Sequence, residues 1–462
     1  MLRSCSSQPF SHSQGPAHAK ADEVLESSRL FGLPRRRQRQ MSFVVSRLCS
    51  LLIVLLLGTS CQAPSSQKPG PPAAPPSLTR PSHVDAVPSY RIGALLPLSG
   101  PMAAYGQEVL HGIQLAIDRQ NRNAGQAAIK LAVRDMGAGI PIQVPLSALL
   151  DEPRLLAVIG PLVSHQVEAA AKVVDDAKIP LITPSATLPN VRQLSPYVFS
   201  TALTYPLQAE QIAAYAMGQL GYRRFGVIHP ENGYGRQLAH LFIEEVRRQG
   251  GEVIHVESYQ EDETDFAKQI TRLKSAYWRR IQQDRHTKAG KEPSPHTDKR
   301  GQDPRSRRSL DAIYLPGAFR QAMAIAAQLR FHDVKVRLLG SNAWHSEDLA
   351  HFSDKSIQGG IFVDSFCAES STPAVREFVA AYRARYHAEP SMFAAQAYEA
   401  VQVVLEGVRT GLTSGKKLRA FLDQANSLPT LQGPTSFNPN GVLNRKLCVV
   451  QVGQNGQLSP MQ

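Results

Sequence analysis

The sequence predicts an α/β fold built from parallel sheets and repeated over two lobes. From Ile92 onward, short apolar runs alternate with longer amphipathic segments, as where "LLAVIGPL" precedes "HQVEAAAKVVDDA". Runs that are apolar throughout are typical of strands buried on both faces, and their alternation with helices indicates a parallel sheet covered on both sides. The residues from Ser89 to the end are numerous enough for two such lobes.

The elements follow in a regular order. In the first half, "IGALLPL" is strand-like and "AAYGQEVLHGIQLAIDRQN" helical; "LLAVIGPL", its helix and the strand "IPLITP" come next. In the second half the strands are "RFGVIHP", "EVIHVESY", "LDAIYLPG" and "VRLLGS", and the helices between them are "GRQLAHLFIEEVRRQG", "TDFAKQITRLKSA" and "RQAMAIAAQLRF". The pattern repeats the same unit in both halves, which predicts two similar lobes.

An export signal precedes the predicted globular part. In residues 41–61, Arg47 stands before an apolar run at 48–57, which is followed by small residues and Cys61, the order of a signal peptide. The run is about half the roughly 20 residues that span a bilayer, so we expect no retained transmembrane helix. Gly58 to Ser60 before Cys61 resembles a bacterial lipoprotein cleavage box, although Gly58 stands where such boxes usually carry Leu. We expect Cys61 to be lipidated; the alternative is plain cleavage near Ser60.

The segments on either side of this signal predict no fold. Residues 1–40 are polar and rich in Ser and Arg, so we expect a disordered segment or a start codon that is really at Met41. Residues 62–88 are rich in Pro and Ser and should form an extended tether. The expected location is the periplasmic side of a bacterial envelope, lipid-anchored, and Gln62 permits sorting to an outer membrane.

Charge and motifs exclude several function classes. The net charge of +13 comes mostly from residues 1–61 and 278–308, which argues against a general nucleic-acid surface. The sequence has no G-x-S-x-G or H-E-x-x-H motif, and "GLTSGKK" lacks P-loop spacing, so we expect no enzyme, metal or cofactor. Cys367 and Cys448 could form a disulfide, but their spacing does not show that they meet.

The loops after the predicted strands carry small, hydroxylated and aromatic residues. In open α/β sheets a ligand lies beyond the carboxyl ends of the strands, where these loops lead into helices. Helix N-termini and side-chain hydroxyls suit a carboxylate, phosphate or sugar oxygen. The loops are "PLSGPMAAYG", "GPLVSH", "TPSATLP", "HPENGYG", "LPGAFR" and "GSNAW".

Residues 91–450 resemble the type-1 periplasmic binding proteins, specifically the Leu/Ile/Val-binding family of extracytoplasmic solute receptors. The resemblance is carried by the stretches "IGALLPLSGPMAAYGQEVLHGIQLAID", "VIGPLVSHQVEAAAKVVDDAKIPLITPSATLPNV", "YVFSTA", "NGYGRQLAHLF" and "FVAAYRARYHAEPSMFAAQAYEAV". It implies two Rossmann-like lobes joined by a three-strand hinge, one formed by 89–203 with 369–430 and the other by 204–368 with 431–462. It also implies a solute receptor that serves an ABC-type transporter.

The resemblance also implies a ligand site between the lobes. Ser164 and Thr187 would hold an α-carboxylate, and Tyr105 and Tyr234 would pack on the solute from opposite lobes. The alternatives are helix capping for the hydroxyls and core packing for the tyrosines. Amino-acid receptors of this family often place a carboxylate where this chain has Asn342, so a zwitterion would need Glu347 or Asp364. The implied ligand-binding residues are Tyr105, Ser164, Ser185, Ala186, Thr187, Tyr234 and Asn342.

A basic insertion at 278–308 leads to a second hypothesis. A loop this long is uncommon unless it is functional or disordered. With the stretch "DAIYLPGAFRQAMAIAAQLRFHDVKVRLLGSNAWH" it resembles lipoproteins that activate penicillin-binding proteins, which contact a peptidoglycan synthase. We expect this chain to lack the N-terminal helical-repeat domain of the best-known members. The alternative for the insertion is a solvated loop.

Overall fold

Two sheets with flanking helices organise the part of the chain that the computed structural model describes, which is residues 89–122, 128–137, 139–288, 310–346, 349 and 355–461. The predicted segments 1–40, 41–61 and 62–88, including Cys61, lie outside these residues. So do Glu347 and positions 289–308 of the insertion. No helix within the described ranges is long and apolar enough to cross a membrane.

The first sheet has five parallel strands in the order β2-β1-β3-β4-β5. All five residues of β3 are buried, as expected for a parallel strand covered by helices on both faces. The strands are β1 (Tyr90–Leu96), β2 (Ile129–Asp135), β3 (Leu155–Ile159), β4 (Leu181–Thr183) and β5 (Val198–Ser200), and the helices between them are α1 (Ala103–Asn121), α2 (Gln143–Leu150) and α3 (Ser164–Ala177).

The second sheet has seven strands in the order β12-β11-β10-β9-β8-β6-β7. β7, β6, β8, β9 and β10 are parallel neighbours, whereas β11 and β12 continue the edge as antiparallel strands. The strands are β6 (Arg224–Pro230), β7 (Glu252–Tyr259), β8 (Ala312–Leu315), β9 (Arg337–Gly340), β10 (Ile361–Asp364), β11 (Cys448–Val452) and β12 (Leu458–Met461); the helices are α4 (Tyr205–Ala214), α5 (Gly233–Arg248), α6 (Ala267–Lys288) and α7 (Phe319–Phe331). The predicted α/β class with parallel-sheet lobes is confirmed.

Three helices late in the sequence return to the first lobe. They are α8 (Pro373–Tyr386), α9 (Met392–Arg409) and α10 (Gly415–Gln424). α9 packs so closely along α1 that a Cβ at Gly112 would overlap the carbonyl oxygen of Ala394. Residues of α8 and α9 share one hydrophobic core with β1 and α1. The first lobe therefore combines chain segments that are far apart in sequence.

Three passages of the chain join the two lobes. Phe199 lies in the first core and Leu203 in the second, so the first passage lies between them. The second runs through 365–367, where Phe366 packs in the first core. In the third, Leu443 belongs to the first core and Leu447 to the second. This crossing lies later in the chain than residue 430, where the sequence analysis ended the first lobe.

A buried ion pair holds two of these passages on the first lobe. Arg445 Nη2 lies 2.8 Å from Glu399 Oε2, and both side chains are 2% exposed. The same guanidinium donates to the carbonyl oxygen of Thr201 at 2.6 Å. The N–H of Leu443 donates to the carbonyl oxygen of Ser200, which places the first and third passages side by side.

Candidate functional site

The two lobes form the same tight corner after their first strands. A Cβ at Gly106 would overlap the carbonyl oxygen of Pro97, and a Cβ at Gly235 would overlap that of Pro230. Only glycine lets each helix pack directly on the end of its strand. Tyr105 and Tyr234 each come one residue before these glycines, so the two corners carry the two tyrosines at equivalent positions.

Tyr105 packs against the start of α9. Its ring meets that of Phe393 edge to face, with centroids 5.3 Å apart and an interplanar angle of 72°. Ser391 caps the helix there by accepting a hydrogen bond from the N–H of Ala394 at 3.3 Å. Its hydroxyl donates to Glu108 Oε2 at 2.7 Å. These contacts fix the first turn of α9 beside Tyr105.

Tyr234 belongs to a polar cluster in the second lobe. Its hydroxyl lies 2.9 Å from both Ser341 Oγ and Asn342 Oδ1, in the loop that follows β9. The ring of Tyr205 packs on Tyr234 edge to face at 5.4 Å. Burial raises the pKa of Tyr234 above its usual range, so the phenol remains a neutral hydrogen-bond donor.

Asn342 links this cluster to the first lobe. It is 7% exposed, and its backbone N–H donates to Gln208 Oε1 at 3.2 Å. Its side-chain Nδ2 points to the sulfur of Met392 at 3.7 Å. Because Met392 and Phe393 are consecutive, Asn342 and Tyr105 contact neighbouring residues of one helix start. The structure therefore brings Tyr105, Tyr234 and Asn342 together around the beginning of α9.

The loops after β3 and β4 are tied to each other. Thr183 Oγ1 donates to the carbonyl oxygen of Pro161 at 2.7 Å and accepts from the N–H of Ala186 at 3.1 Å. Ser185 Oγ donates to the carbonyl oxygen of Leu162 at 2.8 Å. The hydroxyl proton of Ser185 and the N–H of Ala186 are thus already used in holding the loops.

Ser164 and Thr187 differ from these two residues. Both are half-buried, and no hydrogen bond of either hydroxyl is recorded among the described residues. Ser164 is the first residue of α3, and the N-cap residue before it, Val163, has no polar side chain that could cap the helix. A helix N-terminus offers unpaired N–H groups and a partial positive charge to an anion. Of the four residues implied in these loops, Ser164 and Thr187 keep donors for a ligand.

Asp364 is engaged by His345. Asp364 Oδ2 lies 2.6 Å from His345 Nδ1, and the carboxylate is only 1% exposed. Its other oxygen accepts from the N–H of Ser365 at 2.6 Å. Burial lowers the pKa of His345, but the hydrogen bond and charge of Asp364 outweigh burial and leave the pKa raised. This carboxylate is therefore occupied by an internal partner.

Two contact residues were absent from the sequence-based site. Met392 and Phe393 lie in "EPSMFAAQAYEAV", a stretch that carries the resemblance, but nothing local shows which face meets the other lobe. The cap Ser391 before two large apolar residues is the signal that could have marked a helix start at the cleft. No group of three or more His, Cys, Asp or Glu residues that could hold a metal ion is present in the described part of the chain.

Comparison with known proteins identifies the family. A family model described as periplasmic binding protein matches residues 89–457. The chain belongs to this family. Among curated relatives, the Leu/Ile/Val-binding protein homolog 3 of Brucella melitensis is 24% identical over 359 residues, which covers 76% of this chain and 88% of the relative. The Leu/Ile/Val/Thr-binding protein of Salmonella typhimurium is 24% identical over 366 residues, covering 78% and 90%.

Solved structures of periplasmic binding proteins share the fold. A substrate-binding protein of an ABC transporter from Sphaerobacter thermophilus has a TM-score of 0.63 at 21% identity, covering 81% of this chain and 96% of its own. The branched-chain amino acid receptor of Streptococcus pneumoniae, solved with isoleucine, has a TM-score of 0.55 at 24% identity, covering 80% and 98%. A solute-binding protein from Rhodopseudomonas palustris, solved with 3,4-dihydroxybenzoic acid, has a TM-score of 0.58 at 19% identity, covering 81% and 96%. The resemblance to the Leu/Ile/Val-binding type-1 proteins is confirmed.

Proposed function

We propose that this chain is an extracytoplasmic receptor, without enzymatic activity, that captures a small polar solute between its lobes for an ABC-type transporter. The solute is an amino acid or a related carboxylate. The observation that carries the proposal is the meeting of Tyr105, Tyr234 and Asn342 around the start of α9, because it joins candidate ligand residues of both lobes at one place. The named functions of the relatives support the same class.

A carboxylate is the group that the first lobe is best suited to hold. Ser164 and Thr187 supply hydroxyl donors, and the N-terminus of α3 adds unpaired N–H groups. A hydrogen bond to a charged group contributes about 1.5–3 kcal/mol, more than a neutral one. Ser185 and Ala186 act in this proposal by holding the loop.

The remainder of the solute would contact aromatic and neutral polar side chains. Tyr105 and Phe393 offer an apolar wall, while Tyr234 and Asn342, already hydrogen-bonded to each other, present neutral rather than charged groups. Asp364, whose charge acts on Tyr234, is already paired with His345. We therefore expect solutes with a carboxylate and a neutral polar group to compete well with zwitterionic amino acids. The aromatic acid bound by the Rhodopseudomonas palustris protein belongs to that chemical class.

The carboxylate contact is tested by calorimetric titration with amino acids and their analogues that lack the ammonium group. Thr187→Ala and Ser164→Ala should each weaken binding by about 1–3 kcal/mol because one donor to the charged group is lost. Thr271→Ala, on the exposed surface of α6, is the matched control and should bind like the unchanged chain. Unchanged dissociation constants in both Ser164→Ala and Thr187→Ala would remove these hydroxyls from the site.

The proposed location rests on Cys61, which lies outside the described residues. We expect lipid attachment there, so the chain should partition into detergent after export, and Cys61→Ser should abolish this partition. Cys49→Ser, inside the signal, is the control and should retain it. Partition of the unchanged mature chain into the aqueous phase would contradict the anchor.

A second candidate function is contact with a peptidoglycan synthase. Two exposed aromatic side chains favour it, Trp278 at 49% and Phe331 at 84%. Lys274, one turn before Trp278 on α6, donates to the carbonyl oxygen of His332, which brings the end of α7 next to that helix. If the chain contacts a synthase through these side chains, substituting Trp278 and Phe331 by Ser should abolish synthase capture. If the chain serves transport alone, the same substitutions should leave its solute affinity unchanged.

A further inference from the structure

The two cysteines of the described chain lie together beside the hinge. Cys448, the first residue of β11, pairs in antiparallel register with Asp364, the last residue of β10. The chain then bends, with the N–H groups of Ser365 and Phe366 donating to Asp364 Oδ1 at 2.6 and 3.4 Å. This bend returns Cys367 to Cys448, and both pack in the same core. Each is a free thiol in the structure.

The thiols differ in their surroundings. Cys367 is 2% exposed, whereas Cys448 is half-buried and accepts a hydrogen bond from Gln432 Nε2 at 3.1 Å. A hydrogen bond with Cys448, together with burial, raises the pKa of Cys367. Cys448 is therefore the thiol that can reach a reagent first, and Cys367 is placed next to it.

We propose that Cys367 and Cys448 form a disulfide in the exported protein, closing a clasp across the second and third passages between the lobes. The inference rests on the extracytoplasmic location of the proposed function, because disulfides persist in oxidising compartments. Cys448 attacks the disulfide of a donor dithiol oxidoreductase and forms a mixed disulfide. Cys367 then displaces the donor thiolate. Two electrons and the two Sγ protons pass to the donor disulfide, which becomes a dithiol.

The disulfide would close a loop that contains the whole chain segment returning to the first lobe. α8, α9 and α10 all lie between Cys367 and Cys448, so the segment that supplies Met392 and Phe393 leaves and returns through the cross-link. Cross-linking so long a loop restricts the unfolded chain and stabilises the fold. The disulfide thus secures the base of the element around which the candidate site is arranged.

The test is peptide mapping of the full chain recovered from the cell envelope, alkylated before lysis and digested with trypsin without reductant. Cleavage after Lys355, Arg376 and Lys446 isolates residues 356–376 and 447–462, each with one cysteine. The expected result is that these two fragments are linked and separate only on reduction. Recovery of both as alkylated single fragments would overturn the proposal.

A second measurement separates this inference from the export it assumes. Purified chain, reduced and then treated with oxidised glutathione, should yield the same linked fragments; stable glutathione adducts on both cysteines would overturn the proposed geometry. The thermal midpoint of the oxidised chain should fall by a few degrees, about 3 °C or more, on reduction. Cys448→Ser and Cys367→Ser should show no such reductant dependence. Solute titration is independent of these readouts, so failure of the receptor function leaves the linked fragments unchanged.

Discussion

The side-chain nitrogen of Asn342 lies 3.7 Å from the sulfur of Met392, so the loop after β9 in the second lobe contacts the first residue of α9 in the first lobe. The side-chain oxygen of the same amide accepts a hydrogen bond from the hydroxyl of Tyr234. One neutral side chain thus connects the two halves of the candidate cleft. In the proposed site, a solute between the lobes meets an amide at residue 342 rather than a carboxylate that could pair with an ammonium group.

The identity of residue 342 should decide preference between zwitterions and simple carboxylates. Asn342→Asp keeps an oxygen that accepts from Tyr234 but adds a negative charge beside Met392. We expect the ratio of affinities for an amino acid over its analogue without the ammonium to rise by about fivefold or more, because a charged hydrogen bond is stronger than a neutral one by roughly 1 kcal/mol. Calorimetric titration of both solutes measures this ratio. An unchanged ratio would show that residue 342 does not face the ammonium position.

The two glycine corners should be intolerant of any side chain. Gly106→Ala and Gly235→Ala place a Cβ on the carbonyl oxygens of Pro97 and Pro230, so each should lower the free energy of unfolding by about 1–3 kcal/mol. Gly218→Ala is the matched control, because nothing lies within 4 Å of its added Cβ. Urea denaturation provides the comparison. Equal stability of all three variants would contradict the close helix-to-strand packing.

The contact between His345 and Asp364 should make stability depend on pH. The pKa of His345 is raised in the folded protein by Asp364. The stabilisation from this pair is therefore complete below the pKa of His345 in the unfolded chain, about 6.5, and is lost as the pH rises through its pKa in the folded protein. The difference in unfolding free energy between the unchanged chain and His345→Gln should therefore be largest below about pH 6.5 and shrink as the pH rises above it. Denaturation at several pH values measures it. If the unfolding free energies of the two chains change in parallel with pH, the contact between His345 and Asp364 is contradicted.

The buried pair of Arg445 and Glu399 should be costly to break from one side. Glu399→Gln keeps an acceptor for the N–H of Leu431 but leaves the Arg445 guanidinium uncompensated, so we expect a loss of about 3–5 kcal/mol of unfolding free energy. Adding Arg445→Met to the same chain should recover part of that loss. Arg445→Met alone provides the reference. If it lowers the free energy of unfolding equally in the unchanged chain and in Glu399→Gln, the two charges do not interact.

The sequence predicted the fold class because its signal is local and repeated. Apolar runs such as "LLAVI" are buried throughout as β3, and they alternate along the chain with amphipathic segments that form the covering helices. The antiparallel edge β11 and β12 carries no comparable signal, since both strands are short and partly exposed.

The candidate site was only partly predictable. Ser185 carries the same kind of hydroxyl as Ser164 and Thr187, yet its proton is donated to Leu162, and the backbone N–H of Ala186 is donated to Thr183. That difference depends on how the loops after β3 and β4 are placed against each other in space. The contact of Asn342 with Met392 depends in turn on how the lobes are joined by the hinge, which no local pattern records.

The receptor function is tested most directly by solute binding to the chain after copurified ligand has been stripped by unfolding and refolding. Thermal unfolding would be followed against a panel of amino acids, amides, short carboxylates, aromatic acids and peptidoglycan fragments. We expect a saturable rise in the thermal midpoint with a carboxylate-bearing solute, equivalent to about 2.7 kcal/mol at 100 times its dissociation constant. Most of that rise should be lost in Thr187→Ala. A refolded chain whose midpoint no member of the panel raises would contradict the receptor function.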